Sequence, residues 1–538
     1  MEQNQFTQLI GDPLESFYQL GLKDQKGHSL LLDHMKVVLT LGIPKVDKII
    51  QDLAAVFFDS QMEHNRVFKQ WSKQYAQGLG ISDKELIFAL LLPELSSCLS
   101  KWLPSLGSSL LGCSTMFFWD ENEDCPAHGR ILDFPLIGSF DKAERTILYD
   151  FPNLPKVYSF GSVGFPFPSI TSMNEYGVTL ALHQKFTDIL DINGRSVFDI
   201  GNELIFHAKD LSSALEILKK ANSFTAWCFN MTFADGTWLS ADLMGDKLVY
   251  ETGKITKGEI KYFNNELIDE ELHKRSFFPI GMKNHNSMRS DCGNKKVSDL
   301  SKKKKISDLD ILKSLGTPQK ISYEDTLDWK LGTLTPTSVH IVTMSPMKAR
   351  ALSINGIAPK LYSGQYLEHT ELWDKPNFKL KQSRAQKYPP QLKSGLRHYA
   401  LAQVSFDHKD LIHAYHHIQM AHDELKGTKW EHISFFYFLV FQFMKEKHKK
   451  VRSSILEDFK DIHDKLPELL QDHCVLFIWR LERILYKSSK ITENDIKNTT
   501  LKNVFRVEQK IPGLILHRTT TLLMSPRLDL LDVIYPLV

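Results

Sequence analysis

The stretch that decides the fold reads LLGCSTMFFWDENEDCPAHGRILDFP, residues 110–135. An apolar run follows Cys113, a polar and turn-rich segment interrupts it, and RILDFP then resumes the apolar pattern. Alternate residues of a strand point to opposite faces, so two such runs joined by a turn predict an antiparallel hairpin. The hairpin would bring Arg130 and Asp133 back beside Cys113. Their separations from Cys113, 17 and 20 residues, are unsuited to one helix but natural across a hairpin.

This grouping suits nucleophilic chemistry. A thiol attacks as its thiolate, and a fixed guanidinium nearby lowers the thiol pKa. If the chain were cut between Gly112 and Cys113, the new α-amine, with a reference pKa of about 8, could act as base for its own thiol. An aspartate can orient such an amine. A cysteine that follows a glycine in a strand is also commonly a small buried hydrophobe, so spacing alone leaves both interpretations open.

The composition of the 538 residues is that of an ordinary globular protein, with 42% hydrophobic and 24% charged residues. The formal net charge of +2 gives no strong field for nucleic acid or an anionic membrane surface. The start, MEQNQFTQLIGDPLESF, lacks a secretory pattern, and no apolar run reaches the about 18 residues of a membrane span. We therefore predict a cytoplasmic protein, with export by a route without a cleaved signal left open.

The rest of the sequence predicts an N-terminal segment, a central domain that contains the hairpin, a linker and a C-terminal domain. Residues 1–112 show helical periodicity and a capping-box order in Ser82-Asp83-Lys84-Glu85, which predicts a helical pro-segment. Residues 113–360 mix short strands with helices, which predicts an α+β domain. Within it, the Lys-rich residues 283–306 are expected to form a solvated loop. Residues 361–394 lack clear periodicity and are expected to be a linker.

Residues 395–538 predict an all-α domain. Apolar segments that begin at Tyr399, Tyr437 and Val475 recur every 38 residues, and a second amphipathic segment follows the first of them. That period fits helical-hairpin repeats of the tetratricopeptide or HEAT kind, and an irregular helical bundle is the alternative.

Several segments resemble, in order, one family of enzymes. The quoted hairpin resembles its Gly-Cys-(Thr/Ser) strand followed by Gly-Arg-Asn-Leu-Asp. The other matching segments are SMNEYGVTLAL (172–182), FNMTFADGTWLSADL (229–243), YFNNELIDEEL (262–272), NSMR (286–289) and GTLTPTSVHIVTMSPMKARALSINGIAP (332–359). Together with WSKQYAQGLGISDKELIFALLLPEL (71–95), they resemble the N-terminal-nucleophile (Ntn) hydrolases of the peptidase C45, acyl-coenzyme A:6-aminopenicillanate acyltransferase-like family. Choloylglycine hydrolase and acid ceramidase are related to that family.

The resemblance implies a four-layer αββα sandwich, whose pro-segment stays attached or leaves after a cut between Gly112 and Cys113. It implies Cys113 as nucleophile, Arg130 as the arginine beside the thiol and Asp133 as the holder of the α-amine. Asn174 and Asn230 match polar positions that line the site. Asn230 is our candidate oxyanion donor, whereas Asn174 is equally well explained as structural.

Arg289 matches a ligand-contacting position, although a surface arginine is the alternative. The implied reaction is acyl transfer through a Cys113 thioester, from N-acyl amides or small peptides, to water or to another amine. It needs no cofactor, and acyl-coenzyme A is an acyl donor in the acyltransferase case. The chain departs from the family at Ile131, at Asn265 in place of a histidine and at Asp242 in place of a glutamate, which leaves substrate inheritance open.

Three alternatives compete with this hypothesis. Cys125-Pro126-Ala127-His128 is half of a metal site but has no second pair, so we predict no metal. His183 could pair with Cys113 in a papain-like dyad, or be an ordinary hydrogen-bonded strand histidine. A decayed Ntn-like scaffold, whose C-terminal helices bind a protein partner, is the non-enzymatic alternative; the retained Gly112, Cys113, Arg130 and Asp133 count against it.

Overall fold

A computed structural model describes residues 5–27, 29–38, 45, 47–49, 52, 66–94, 112–134, 136–269, 280–318, 332–385 and 388–535. These residues form a mixed α+β structure, as predicted, with two large sheets and one small hairpin. No helix among them is long and apolar enough to cross a membrane. The segment before Gly112, residues 95–111, lies outside the described residues.

The larger sheet, as far as the described ranges show, has eight strands in the order β1-β4-β5-β6-β7-β8-β9-β10. Neighbouring strands are antiparallel, except that β1 runs parallel to β4. Its strands are β1 (Gln5–Ile10), β4 (Glu144–Asp150), β5 (Val157–Ser162), β6 (Thr171–Asn174), β7 (Thr179–Gln184), β8 (Trp227–Thr232), β9 (Thr237–Met244) and β10 (Lys247–Lys254).

The second sheet has seven antiparallel strands in the described ranges, in the order β11-β2-β3-β12-β13-β14-β15. Its strands are β2 (Gly112–Asp120), β3 (Cys125–Asp133), β11 (Ile260–Phe263), β12 (Ser338–Ser345), β13 (Arg350–Ser353), β14 (Gln365–Thr370) and β15 (Asn377–Gln382). The two sheets contact each other where β2 meets β7 and β3 meets β8.

The predicted hairpin is the β2–β3 pair at the centre of the second sheet. Gly112 lies opposite Asp133, and Thr115 lies opposite Arg130. The Asp120 carboxylate accepts hydrogen bonds from the backbone N–H groups of residues 122 and 123 and so closes the turn. All nine residues of β3 are buried, because the helices on one side and the other sheet on the opposite side cover both faces.

Helices cover the outer faces of the sheets. Helices α5 (Val197–His207) and α6 (Leu211–Lys220) pack on the larger sheet, and α7 (Ile280–Leu300) and α8 (Asp308–Leu315) pack on the second. The prediction of a solvated loop at 283–306 is therefore wrong for most of its length. Its helical period was hidden because the buried face of α7 carries the polar residues His285, Asn286 and Arg289.

The N-terminal segment shares the core of the larger sheet. Its helices, α1 (Pro13–Asp24), α2 (Ser29–Val38), α3 (Arg66–Leu79) and α4 (Asp83–Leu90), follow a strand that the sequence did not predict, β1. The buried Asp24 carboxylate lies 2.5 Å from the Arg145 guanidinium of β4 and accepts a hydrogen bond from the Tyr75 hydroxyl. Phe17 packs in the same hydrophobic core as Tyr149.

The linker prediction for 361–394 is wrong, because β14 and β15 lie inside it and extend the second sheet at its edge. The outer strand, NFKLKQ, exposes Lys379 and Lys381. Lysines on an edge strand oppose further strand pairing, and they also dilute the apolar alternation by which a strand is recognised in sequence.

The C-terminal residues are helical and end in a small hairpin. The helices are α9 (Leu392–Asp407), α10 (Leu411–Glu424), α11 (Glu431–Lys445), α12 (Lys449–Ile462), α13 (Glu468–Tyr486), α14 (Thr499–Gln509) and α15 (Gly513–Leu523), followed by β16 (Ser525–Arg527) and β17 (Asp532–Ile534). The three predicted repeat starts lie in α9, α11 and α13, and each of these helices contacts the one that follows it. The Arg397 guanidinium on α9 donates a hydrogen bond to the Asp141 carboxylate, which joins this region to the central sheets.

Candidate active site

Cys113 is the second residue of β2, and its side chain is fully buried between the two sheets. Arg130 Nη2, from β3, lies 3.4 Å from Cys113 Sγ and donates to the Leu182 carbonyl at 2.7 Å. The other terminal nitrogen, Nη1, donates to the Ile170 carbonyl at 2.8 Å. Two backbone carbonyls of the larger sheet therefore fix the guanidinium beside the thiol, where the hairpin register predicted it.

Burial raises the pKa of the Cys113 thiol above its ordinary value, and the positive charges of Arg130 and Arg289 offset only part of this. The sequence-based expectation was a lowered thiol pKa. That expectation rested on the guanidinium alone. In the full chain, removal of water from the thiol raises its pKa by more than the arginine charges lower it.

Asp133 lies across the hairpin from Gly112. Its Oδ1 accepts a 2.5 Å hydrogen bond from the Ser338 hydroxyl of β12, and its Oδ2 lies 3.7 Å from Arg289 Nη2. Asp133 Oδ2 has no hydrogen-bond partner within the described ranges. A Cβ atom added to Gly112 would lie 3.0 Å from this oxygen, so a larger residue here would push the Asp133 carboxylate away.

Asn265 completes the surroundings of Cys113. The Cys113 N–H donates to Asn265 Oδ1 at 2.8 Å, and Arg289 Nη1 donates to the same oxygen at 2.9 Å. The Asn265 amide in turn donates to the Gln184 carbonyl at 2.8 Å. In the sequence, Asn265 is a departure from the family pattern without a predicted role; the available signal for it is the Asn264-Asn265 pair directly after β11.

Arg289, predicted as a ligand contact or a surface arginine, is fully buried. Its guanidinium bridges Asn265 and the Ser114 hydroxyl, the latter at 3.0 Å. Arg289 therefore contacts Ser114, which follows Cys113 in β2, and Asn265, which accepts from the Cys113 N–H.

The two predicted asparagines differ in their surroundings. Asn174 donates to the carbonyls of Ile205 and Ala208 and accepts from two backbone N–H groups of its own turn. Its side chain is thus occupied in joining the β6–β7 turn to the end of α5, which favours the structural alternative. Asn230 accepts a hydrogen bond from Ser240, and its Nδ2 has no partner among the described residues. Because Asn230 pairs with Ala181 on β7, its amide is a buried donor in the sheet that faces Cys113.

Neither the His183–Cys113 dyad nor a metal site at Cys125 and His128, the two alternative sites considered from sequence, has its side chains placed together. His183 Nε2 lies 2.8 Å from the Thr115 hydroxyl and its Nδ1 lies 3.1 Å from the Asn264 carbonyl, so both ring nitrogens are engaged away from the thiol. Cys125 and His128, three residues apart on β3, point to opposite faces of the strand. The described part of the chain contains no cluster of three or more His, Cys, Asp or Glu residues that could hold a metal ion.

The N-terminal segment reaches the site through residues 93 and 94. The Gln184 side chain donates to the Pro93 carbonyl at 2.5 Å, and Gln184 is also the acceptor for Asn265. The buried Glu94 carboxylate accepts from the Val197 N–H at 2.7 Å, at the start of α5, and from the Trp227 indole at 3.1 Å. A helix N-terminus favours such a carboxylate, so Glu94 anchors this segment to α5 and to β8 of the larger sheet.

Comparisons with known proteins found no matching family model and no matching curated protein. Among solved structures, the chain is similar to a variant of conjugated bile acid hydrolase from Clostridium perfringens, with 11% identity, 51% of this chain and 98% of that chain covered and a TM-score of 0.31. It is also similar to penicillin V acylase from Agrobacterium tumefaciens, with 12% identity, 50% and 86% coverage and a TM-score of 0.28. Because TM-scores at this level do not define a fold, the proposals that follow depend on the geometry around Cys113.

Proposed function

We propose that this protein is an amide hydrolase or acyltransferase of the Ntn kind, which uses Cys113 as nucleophile after a cut between Gly112 and Cys113. One observation carries the proposal: the Cys113 nitrogen donates to a buried side-chain oxygen, Asn265 Oδ1, while Asp133 Oδ2, 3.7 Å from Arg289 Nη2, lies against Gly112 and accepts no hydrogen bond from the described residues. The single N–H of a chain-internal cysteine needs one acceptor, which Asn265 supplies. An N-terminal amine carries additional hydrogens, and the Asp133 oxygen is a second acceptor for them.

The cut would create the base that the reaction needs. A peptide nitrogen is not basic, because its lone pair is delocalised into the carbonyl. A free α-amine has a reference pKa of about 8, and its neutral form carries two hydrogens and one lone pair. Asn265 Oδ1 and Asp133 Oδ2 can accept the two hydrogens, which leaves the lone pair to take the thiol proton. We propose the αββα sandwich as the scaffold that brings these groups together.

The proposed reaction has two halves. Cys113 gives its proton to the α-amine and its sulfur bonds to the substrate carbonyl, whose oxygen becomes an oxyanion stabilised by Asn230 Nδ2 and backbone N–H groups. The C–N bond then breaks, the α-ammonium gives its proton to the leaving amine, and a Cys113 thioester remains. Water, or a second amine, attacks the thioester while the α-amine accepts its proton, and loss of the thiolate regenerates Cys113.

Self-cleavage comes before the α-amine exists, so it depends on the thiol and on the Gly112–Cys113 peptide bond. The Cys113 sulfur would bond to the Gly112 carbonyl carbon, the C–N bond would break, and the thiol proton would pass to the departing Cys113 nitrogen, which becomes the α-amine. Hydrolysis of the thioester leaves a Gly112 carboxylate. Because β1 and the Glu94 contacts tie the N-terminal segment to the central sheets, we propose that the fragment 1–112 stays bound after the cut.

Intact mass spectrometry of the purified full chain tests the proposal. We expect fragments of roughly 13 and 49 kDa, by proportion of chain length, which the family mechanism requires. Cys113→Ala should remain one chain, whereas the matched control Cys125→Ala, in the same hairpin, should be cut normally. A wild-type chain that stays intact yet cleaves N-acyl amides would exclude the α-amine as base. A chain that is intact and inert towards amides and thiol reagents would favour the decayed scaffold with partner-binding C-terminal helices.

A further inference from the structure

His285 and Asn286, in the first turns of α7, have buried polar side chains without partners. Their exposed fractions are 4% and 2%, and none of their four side-chain nitrogen and oxygen atoms has a hydrogen-bond partner in the ranges that the structure describes. Buried polar groups are almost always hydrogen-bonded, so two adjacent side chains without protein partners offer their donors and acceptors to a polar group from outside the chain.

Both residues lie next to the candidate active site. They precede Arg289 by four and three residues, so their side chains neighbour the Arg289 side chain on one face of α7. The Asn286 carbonyl accepts a hydrogen bond from Asn264, the residue before Asn265, at 3.0 Å. Burial, with a smaller contribution from the Arg289 charge, lowers the pKa of His285 well below its ordinary value, so the imidazole is neutral near pH 7.

The chemistry of these side chains limits the ligand. A neutral imidazole offers one donor and one acceptor, and a carboxamide offers both kinds of group. A carboxylate would satisfy only the donors, and an ammonium would satisfy only the acceptors. A group that donates and accepts at once, such as an amide, can satisfy both residues.

We propose that His285 and Asn286 form a subsite for a second, neutral amide group of the substrate, beside the amide that Cys113 attacks. This rests on the proposed function and narrows it to peptide-like compounds that carry two amides, in preference to simple N-alkyl amides. Arg289 neighbours both residues on α7 and donates to Asn265, which accepts from the Cys113 N–H, so an amide bound at the subsite would lie near the groups that hold Cys113.

The test compares two compounds with the same acyl chain, an N-acylglycinamide and the N-acylisobutylamine of nearly the same shape. The acyl chain is the one that wild-type protein turns over fastest in a panel from acetyl to lauroyl. We expect kcat/KM to be at least about tenfold higher for the glycinamide, because a site built for hydrogen bonding rejects an analogue that lacks them. His285→Leu and Asn286→Leu should abolish the preference. Asn294→Leu, at an exposed position of the same helix, should retain it.

Thermal unfolding provides a readout that does not depend on activity. Leucine removes unpaired polar atoms from the interior, so Tm of both leucine variants should equal or exceed that of wild type. A lowered Tm in both would show that the side chains have structural partners and would overturn the proposal, as would equal kcat/KM for the two compounds in wild type.

If wild type turns over neither compound, the proposed function fails. A larger Tm increase with the glycinamide than with the isobutylamine compound would then still support the subsite, and equal increases would reject it.

Discussion

Replacing Arg130 tests whether its guanidinium acts on the Cys113 thiol. The informative pair is Arg130→Lys, which retains a positive charge, and Arg130→Met, which retains much of the length and apolar volume but no charge. In the native chain Arg130 Nη2 lies 3.4 Å from Cys113 Sγ, and both side chains are fully buried.

The distance gives the scale of the effect. With an effective dielectric constant of about 20, a positive charge 3.4 Å from a thiolate stabilises it by about 5 kcal/mol. Rearranged water would recover part of this energy in Arg130→Met. If only about one third of the 5 kcal/mol is lost in the variant, the loss still exceeds the 1.4 kcal/mol that corresponds to a tenfold change in an equilibrium. The thiolate population of Arg130→Met should therefore fall at least about tenfold at neutral pH, and that of Arg130→Lys should fall less.

The assay is the rate at which a small neutral alkylating agent labels Cys113 between pH 6 and 9, followed by peptide mass spectrometry. Cys228 is an internal control, because it is buried in β8 and burial beside Asp242 raises its pKa to about 12. We expect slower labelling of Cys113 and unchanged labelling of Cys228. Equal Cys113 rates in wild type and Arg130→Met across this range would refute the assignment of Arg130, and a parallel change at Cys228 would indicate general loosening of the fold.

Two further predictions concern the cut and the docking of the N-terminal segment. Gly112→Ala should slow fragment formation on the order of tenfold, because its Cβ would lie 3.0 Å from Asp133 Oδ2, whereas Gly161→Ala, whose Cβ would meet only the Phe165 carbonyl at 3.7 Å, should be cut normally. His34→Gln should reduce the loss of stability in acid, measured as urea midpoints at pH 7, 5 and 4. Burial and the charge of His408 lower the pKa of His34 from 6.5 to about 3, so in acid the unfolded chain binds a proton that the folded chain does not. Below pH 6.5 the free energy of unfolding of wild type should therefore fall by up to about 1.4 kcal/mol per pH unit, a loss that the variant avoids. His34 Nδ1 lies 2.9 Å from the Ser139 hydroxyl, and its ring contacts that of His408, directly after α9. An unchanged acid slope would contradict this burial.

The central hairpin could be predicted from sequence because its information is local. Period-two alternation and a polar turn were enough to bring Arg130 and Asp133 back beside Cys113: the register puts Asp133 opposite Gly112 and Arg130 opposite Thr115, from which its side chain reaches the thiol. The Ser82-Asp83-Lys84-Glu85 order likewise marks the start of α4, because Ser82 caps the helix by accepting a hydrogen bond from the Glu85 N–H. Each of these features depends on residues that are close in the chain.

The sequence failed where local patterns are weak or diluted. Strands β14 and β15 are short and partly exposed, and the outer strand β15 carries two lysines, so their alternation is faint. Pairing of β14 with β13 and of β15 with β14 supplies the hydrogen bonds that make them strands. The buried face of α7 carries polar residues, so the sequence shows no apolar periodicity from which a helix could be predicted there. The strand β1 is defined by its pairing with β4, about 140 residues later in the chain.

The sequence by itself determined the hairpin that carries Cys113 and the strand that neighbours it, because side-chain alternation follows directly from residue order. Only the tertiary structure decided what surrounds them. Asn265 reaches the Cys113 nitrogen from 152 residues away, Arg289 enters from α7, and Pro93 contacts the Gln184 side chain from the N-terminal segment. The tertiary structure also decided the electrostatics, because the pKa of a thiol depends on how completely the other sheet excludes water from it, which no local pattern encodes.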